Sequence, residues 1–176
     1  MSAKMMRKLG RSGIEVSALG LGCWAVGGPW NFNGSPAGWG GVDDAESLRS
    51  IEHGLDLGVN FFDTAANYGA GHSERLLAKV IKNRRDRVVI STKFGYQVDE
   101  AAKEVWHFDA TEEDSDVAGR LRASLEGSLN RLETDYIDVY LIHVWGLKIE
   151  RALAAREILE DMVAEGKIRT YGWSTD

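Results

Sequence analysis

The chain has 176 residues, 44% of them hydrophobic and 27% charged, which is the make-up of a globular protein able to bury one sizeable core. A formal net charge of −6 argues against a nucleic-acid or anionic-membrane partner held by charge, and no apolar run approaches the length of a membrane span. The single cysteine, Cys23, excludes an intrachain disulfide, and the polar, basic start carries no apolar signal region, so the expected location is cytoplasmic.

The segment Arg7 to Val16 reads as a small hairpin turning at Gly10-Arg11-Ser12-Gly13, with Leu9, Ile14 and Val16 as its apolar residues. A repeating unit follows. Ala18 to Gly22 is a short apolar strand, and a glycine-rich stretch runs to Asp43. A helix from about Asp44 to Leu57 places Leu48, Ile51 and Leu55 on one face and stops at Gly58. Val59 to Phe62 is the next strand. Ser73 is expected to cap a helix carrying Leu77, Val80 and Ile81 inward. Val88 to Thr92 is a third strand. Gln97 to Asp116 is polar and acidic and reads as an irregular insertion. Val117, Leu121, Leu125, Leu129 and Leu132 mark an amphipathic helix, Tyr136 to Ile142 a fourth strand. A last helix buries Ala155, Leu159, Met162 and Val163 before Gly166, and Ile168 to Trp173 is a fifth strand.

Strand and helix alternating with long connections predict right-handed βαβ units and a parallel sheet. A doubly wound sheet and a barrel both fit, although the first strand-to-helix loop lacks the G-x-G-x-x-G of a dinucleotide fold.

Polar residues recur at the C-terminal ends of the strands, where a barrel has its active-site mouth. Asp63 ends the second strand, Tyr68 follows it, Lys93 ends the third and His143 the fourth. Each alone has an ordinary explanation: a cap, a surface aromatic, a solvated charge, a structural histidine. Four titratable types at one rim point to proton transfer. A free tyrosine, with a pKa of about 10, is a poor acid at neutral pH, and a neighbouring ammonium favours its phenolate. Lys93 would be that ammonium, and Asp63 the carboxylate keeping it charged.

The segments Gly20-Leu21-Gly22-Cys23-Trp24, Phe62-Asp63-Thr64-Ala65-Ala66-Asn67-Tyr68-Gly69, Ser91-Thr92-Lys93-Phe94-Gly95 and Leu132 through His143 resemble, in order and spacing, the aldo-keto reductases, over nearly the whole chain. The resemblance implies a (β/α)8 TIM barrel, of which these residues supply an N-terminal hairpin (1–17), then βα units 1–4 and strand 5 (18–176), as one C-terminally incomplete domain. It implies an oxidoreductase moving hydride between NADPH and an aldehyde or ketone, with Asp63, Tyr68, Lys93 and His143 as catalytic set. Tyr68 would be the general acid, and His143 would hydrogen-bond the carbonyl. Gly22, Trp24, Asp63, Ser174 and Thr175 are the expected cofactor contacts; Thr175 stands where the family commonly has Asn. The same resemblance extends to potassium-channel β subunits, so a non-catalytic binding module is the alternative.

Other features divide between two readings. The stretch Gly27 to Gly41, with Trp30, Phe32 and Trp39, is either an aromatic lid or a flexible surface loop. Trp24 and Trp145 either line the pocket or pack. His53 reads as helical, His72 and His107 as loop residues, and none has the spacing of a zinc site; the acidic run Asp109 to Asp116 reads as a solvated helix start, so no metal is expected. A whole barrel takes about 250 residues, and its phosphate-binding loops follow strands seven and eight. The expectation is therefore that these residues stop short of a barrel, hold NADP(H) weakly or not at all, and self-associate through open sheet edges.

Overall fold

The computed structural model describes residues 5–107, 117–144 and 147–174. In chain order its elements are β1 (Met6–Lys8), β2 (Glu15–Ser17), β3 (Leu21–Gly22), β4 (Pro29–Phe32), β5 (Ser35–Gly38), α1 (Asp44–Asp56), β6 (Phe61–Asp63), α2 (His72–Ile81), β7 (Val89–Phe94), β8 (Tyr96–Asp99), β9 (Glu104–His107), α3 (Val117–Leu132), β10 (Ile137–Ile142), α4 (Ile149–Ala164) and β11 (Ile168–Trp173).

Strands β3, β6, β7, β10 and β11 form one parallel sheet, ordered as they occur in the chain. A doubly wound sheet reverses direction from its first strand; a barrel adds each strand beside the last. The observed order is that of a barrel wall. α1 starts cleanly because the Asp43 carboxylate accepts the Ala45 N–H at 2.9 Å, with Asp44 and Glu46 in the first turn at the positive end of the helix dipole. It ends where Gly58 takes a φ of +93°.

Strand alternation divides the sheet into two faces. Phe62, Ile90, Tyr140 and Ile142 face outward and pack with Leu77 and Ile81 of α2, Leu121 and Leu125 of α3, and Leu159 of α4. Phe61, Val89, Val139 and Leu141 face the other way, and there they meet Ile14 and Val16 of the β1–β2 hairpin. The hairpin thus closes the N-terminal end of the sheet's inner face with apolar side chains. What remains open is the C-terminal end, where Ser91 and Lys93 continue the inward row begun by Val89.

Four expectations need correction. Residues 97–107 are not irregular: β8 and β9 pair antiparallel, and β9 pairs parallel with β4, whose own antiparallel partner is β5. The result is a four-stranded accessory sheet, so the stretch from Gly27 to Gly41 is largely a β-hairpin rather than a flexible loop. Local composition missed it because its central pairing, Asn31 with Glu104, is remote in sequence. Second, Ser73 does not cap α2. Gly71 holds the cap position at φ +88°, and Ser73 lies within the first turn with its hydroxyl turned to other loops. Third, His72 is the first residue of α2 and His107 the last of β9, neither a loop position. The first barrel strand is also shorter than expected, at Leu21–Gly22. Trp145, Thr175 and the run Asp109 to Asp116 lie outside the described residues.

Candidate active site

Lys93 is inward-facing and 5% exposed at the end of β7. A buried ammonium needs an acceptor for each of its three protons. It has three: Asp63 Oδ2 at 2.7 Å, the Thr64 carbonyl at 2.8 Å and Tyr68 Oη at 3.1 Å. Because an ammonium only donates, Tyr68 Oη accepts from it, and the tyrosine's own proton is directed elsewhere. The second carboxylate oxygen, Asp63 Oδ1, accepts from Ser91 Oγ at 2.9 Å. Three of the four residues singled out in the sequence therefore share one hydrogen-bonded cluster.

His143 follows β10, its amide donating to the Phe94 carbonyl at 2.7 Å. Its ring stands edge-on to Tyr68, with centroids 6.3 Å apart. Burial first, then the Lys93 ammonium, push its pKa down to about 4 against the opposing Asp63 carboxylate. The ring is neutral at physiological pH, and its buried Nδ1 has no hydrogen-bond partner.

Around this cluster lie aromatic walls. Trp24 is tilted against Tyr68 at 6.2 Å and meets Trp39 edge-on at 5.5 Å. Opposite, Tyr96 of β8 stacks on His107 of β9 and points an edge at His143, at 5.4 Å. Burial first, then the neighbouring Tyr68, raise the Tyr96 phenol above its ordinary range. The accessory sheet thus carries one wall of the mouth. Both readings of Trp24 hold in part: it packs, yet stays 48% exposed beside the site.

Backbone placement of Tyr68 depends on glycine. A Cβ on Gly69, at φ +64°, would lie 2.0 Å from the Gly27 carbonyl oxygen, and a Cβ on Gly27 would lie 2.7 Å from the Tyr68 carbonyl carbon. The two loops cross with backbone against backbone. Behind them Ser73 Oγ donates to the Cys23 carbonyl at 2.8 Å and so accepts from Thr64 Oγ1 at 2.9 Å. Cys23 itself is inert: burial first, then Asp63, push its thiol up to about 12 against the pull of Lys93.

Of the expected cofactor contacts, Gly22 ends β3 directly beside Asp63, with open space where a Cβ would stand. Ser174 follows β11, tied by its amide to the Ile142 carbonyl at 2.8 Å. Ser91, Thr64 and Tyr96 are site residues that the sequence reading passed over. No group of acidic, histidine or cysteine side chains able to hold a metal occurs among the described residues.

A parallel barrel wall with a saturated lysine, tyrosine and aspartate at its C-terminal rim defines a class. Residues 18–176 match the Aldo/keto reductase family, and the chain belongs to it. It is 36% identical over 165 residues to "Aldo-keto reductase YhdN" of Bacillus subtilis (strain 168), a match covering 93% of this chain and 44% of that protein. Among solved structures it is similar to the holo form of aldo-keto reductase AKR11C1 from Bacillus halodurans, with a TM-score of 0.78 at 31% identity, covering 98% of this chain and 50% of that one. It is also similar to an aldo/keto reductase from Klebsiella pneumoniae in complex with NADP and acetate, with a TM-score of 0.70 at 28% identity, covering 99% and 50%. The chain spans about half the length of the relatives it matches.

Proposed function

We propose that these residues carry the proton-transfer half of an NADP(H)-dependent carbonyl reductase acting on an aldehyde or ketone. The observation that carries this reading is the Lys93 ammonium held at once by Asp63 Oδ2 and against Tyr68 Oη. That geometry supports the following acid-base roles. Tyr68 gives its proton to the carbonyl oxygen as the alcohol forms, and the phenolate left behind sits against the buried Lys93 ammonium. Asp63 and the Thr64 carbonyl hold Lys93 in place, so no reorganisation is needed when the charge appears. His143 is neutral and keeps a ring N–H to offer the substrate oxygen, orienting it and sharing its developing charge.

The residues suit a nicotinamide end. Gly22 leaves room beside Asp63 at the end of β3. When bound, the nicotinamide supplies the hydride. In the B. subtilis and B. halodurans relatives about half of the protein lies beyond the match, so the 176 residues alone should hold NADP(H) weakly. Carbonyl reduction followed by NADPH absorbance in the full-length protein should fall by ~100-fold or more in Tyr68→Phe, which removes the transferred proton. Undiminished turnover in that variant would sink the assignment.

A further inference from the structure

Asp63 is an awkward anchor. Its side chain is 37% exposed at the rim, where a carboxylate is free to rotate and hydrate, yet it must keep one oxygen on Lys93. Ser91 answers this difficulty. It stands directly opposite Asp63 in the parallel pairing of β6 and β7, two residues before Lys93 on the same inward row. It is 1% exposed, with Val139 beside it on β10 and Val89 and Phe61 beneath it on the inward face. A hydroxyl buried among such neighbours needs an acceptor. Its acceptor is Asp63 Oδ1 at 2.9 Å, while Oδ2 alone takes Lys93. The Ser91 carbonyl also accepts the Thr64 amide at 2.8 Å, and the Thr64 carbonyl is the second acceptor for Lys93.

Resting on the reading of Tyr68 as proton donor, we infer that Ser91 is a positioning residue: it fixes the Asp63 carboxylate, and through it aims the Lys93 ammonium at Tyr68. It touches no reacting atom. Its two hydrogen bonds hold both of the groups that, with Tyr68, fill the coordination of Lys93. Without the hydroxyl, Asp63 turns toward solvent, and the ammonium loses a fixed partner rather than its charge.

The test is nitrogen-resolved NMR of the Lys93 ammonium in the 176-residue chain, where three fixed hydrogen bonds make its protons exchange slowly with water. Ser91→Ala should speed that exchange roughly 10-fold, and in full-length enzyme lower kcat by a similar factor with KM held within about two-fold, as expected of a displaced catalytic group. Should the alanine variant not fold, Ser91→Cys keeps the shape with a weak donor, and its exchange should still quicken. Unchanged exchange in the folded variant overturns the inference, whatever Tyr68→Phe does. Conversely, a Tyr68→Phe enzyme that still reduces carbonyls would defeat the reductase reading while leaving the exchange result standing.

Discussion

His143 is neutral because of where its ring lies. Half-buried, with a lysine ammonium in front of it, it resists a proton until pH falls to about 4. In the unfolded chain the same ring titrates near 6.5. Between those values the unfolded state binds a proton that the folded state refuses. Stability is therefore full above pH 6.5 and falls as pH drops toward 4, by ~1–2 kcal/mol once screening at the partly exposed ring is counted. Urea midpoints should show this slope in the native chain and lose much of it in His143→Gln; imidazole NMR should place His143 well below the ~6.5 of a free imidazole, and Lys93→Met should move it up. The sequence singles out Asp63, Tyr68, Lys93 and His143 because each lies at or soon after the C-terminal end of a strand. It does not single out Ser91 or the Thr64 carbonyl. A serine inside an apolar strand looks like any other, and a main-chain oxygen has no letter of its own.

At the level of elements, the accessory sheet and the crossing of two loops decide where Tyr68 stands. Gly69, Ala70 and Gly71 are consecutively left-handed, at φ +64°, +51° and +88°. Such a run is strained for side chains and persists because the Gly27 backbone presses against it. Two substitutions separate conformational strain from contact. Gly13, at φ +75° with nothing near its Cβ position, should lose only ~1–2 kcal/mol as Gly13→Ala. Gly69→Ala meets a carbonyl oxygen at 2.0 Å and should lose more than ~3 kcal/mol, with Tyr68 displaced. Equal losses by chemical denaturation would refute the crossing as the cause. Barrel strands and helices were readable from their apolar periodicity, as with Leu121, Leu125 and Leu129 in α3. The accessory strands were not. Ser35-Pro36-Ala37-Gly38 and Glu104 to His107 carry weak local preference; the first is a strand through its pairing with β4, and the second lies between β8 and, across the hairpins, β4.

Across the whole molecule, the sheet is held together at its lower end by one buried carboxylate. Asp138 of β10, 0% exposed, accepts from Arg85 at 2.7 Å, from the Ile90 amide of β7 at 3.0 Å and from Arg169 of β11 at 2.6 Å. Three adjacent strands are thus locked in register, while the hairpin seals the same end with Ile14 and Val16. The sides are another matter. Among the described residues, nothing pairs with the outer edge of β3 or of β11. β3 is short and offers little, but β11, paired with β10 on one side, presents a six-residue outer edge with Trp173 and Tyr171 partly buried beside it. Unsatisfied edge groups next to apolar side chains favour pairing with another strand. The 176 residues as a separate polypeptide should therefore associate reversibly, and light scattering across a dilution series should give a mass that rises above the monomer with concentration. A longer polypeptide whose further strands pair with β11 should reduce this tendency and tighten NADPH binding together, because both would follow from covering the same edge. A monomer at every concentration, or micromolar NADPH affinity in the 176 residues, would show that this half of the wall is sufficient on its own.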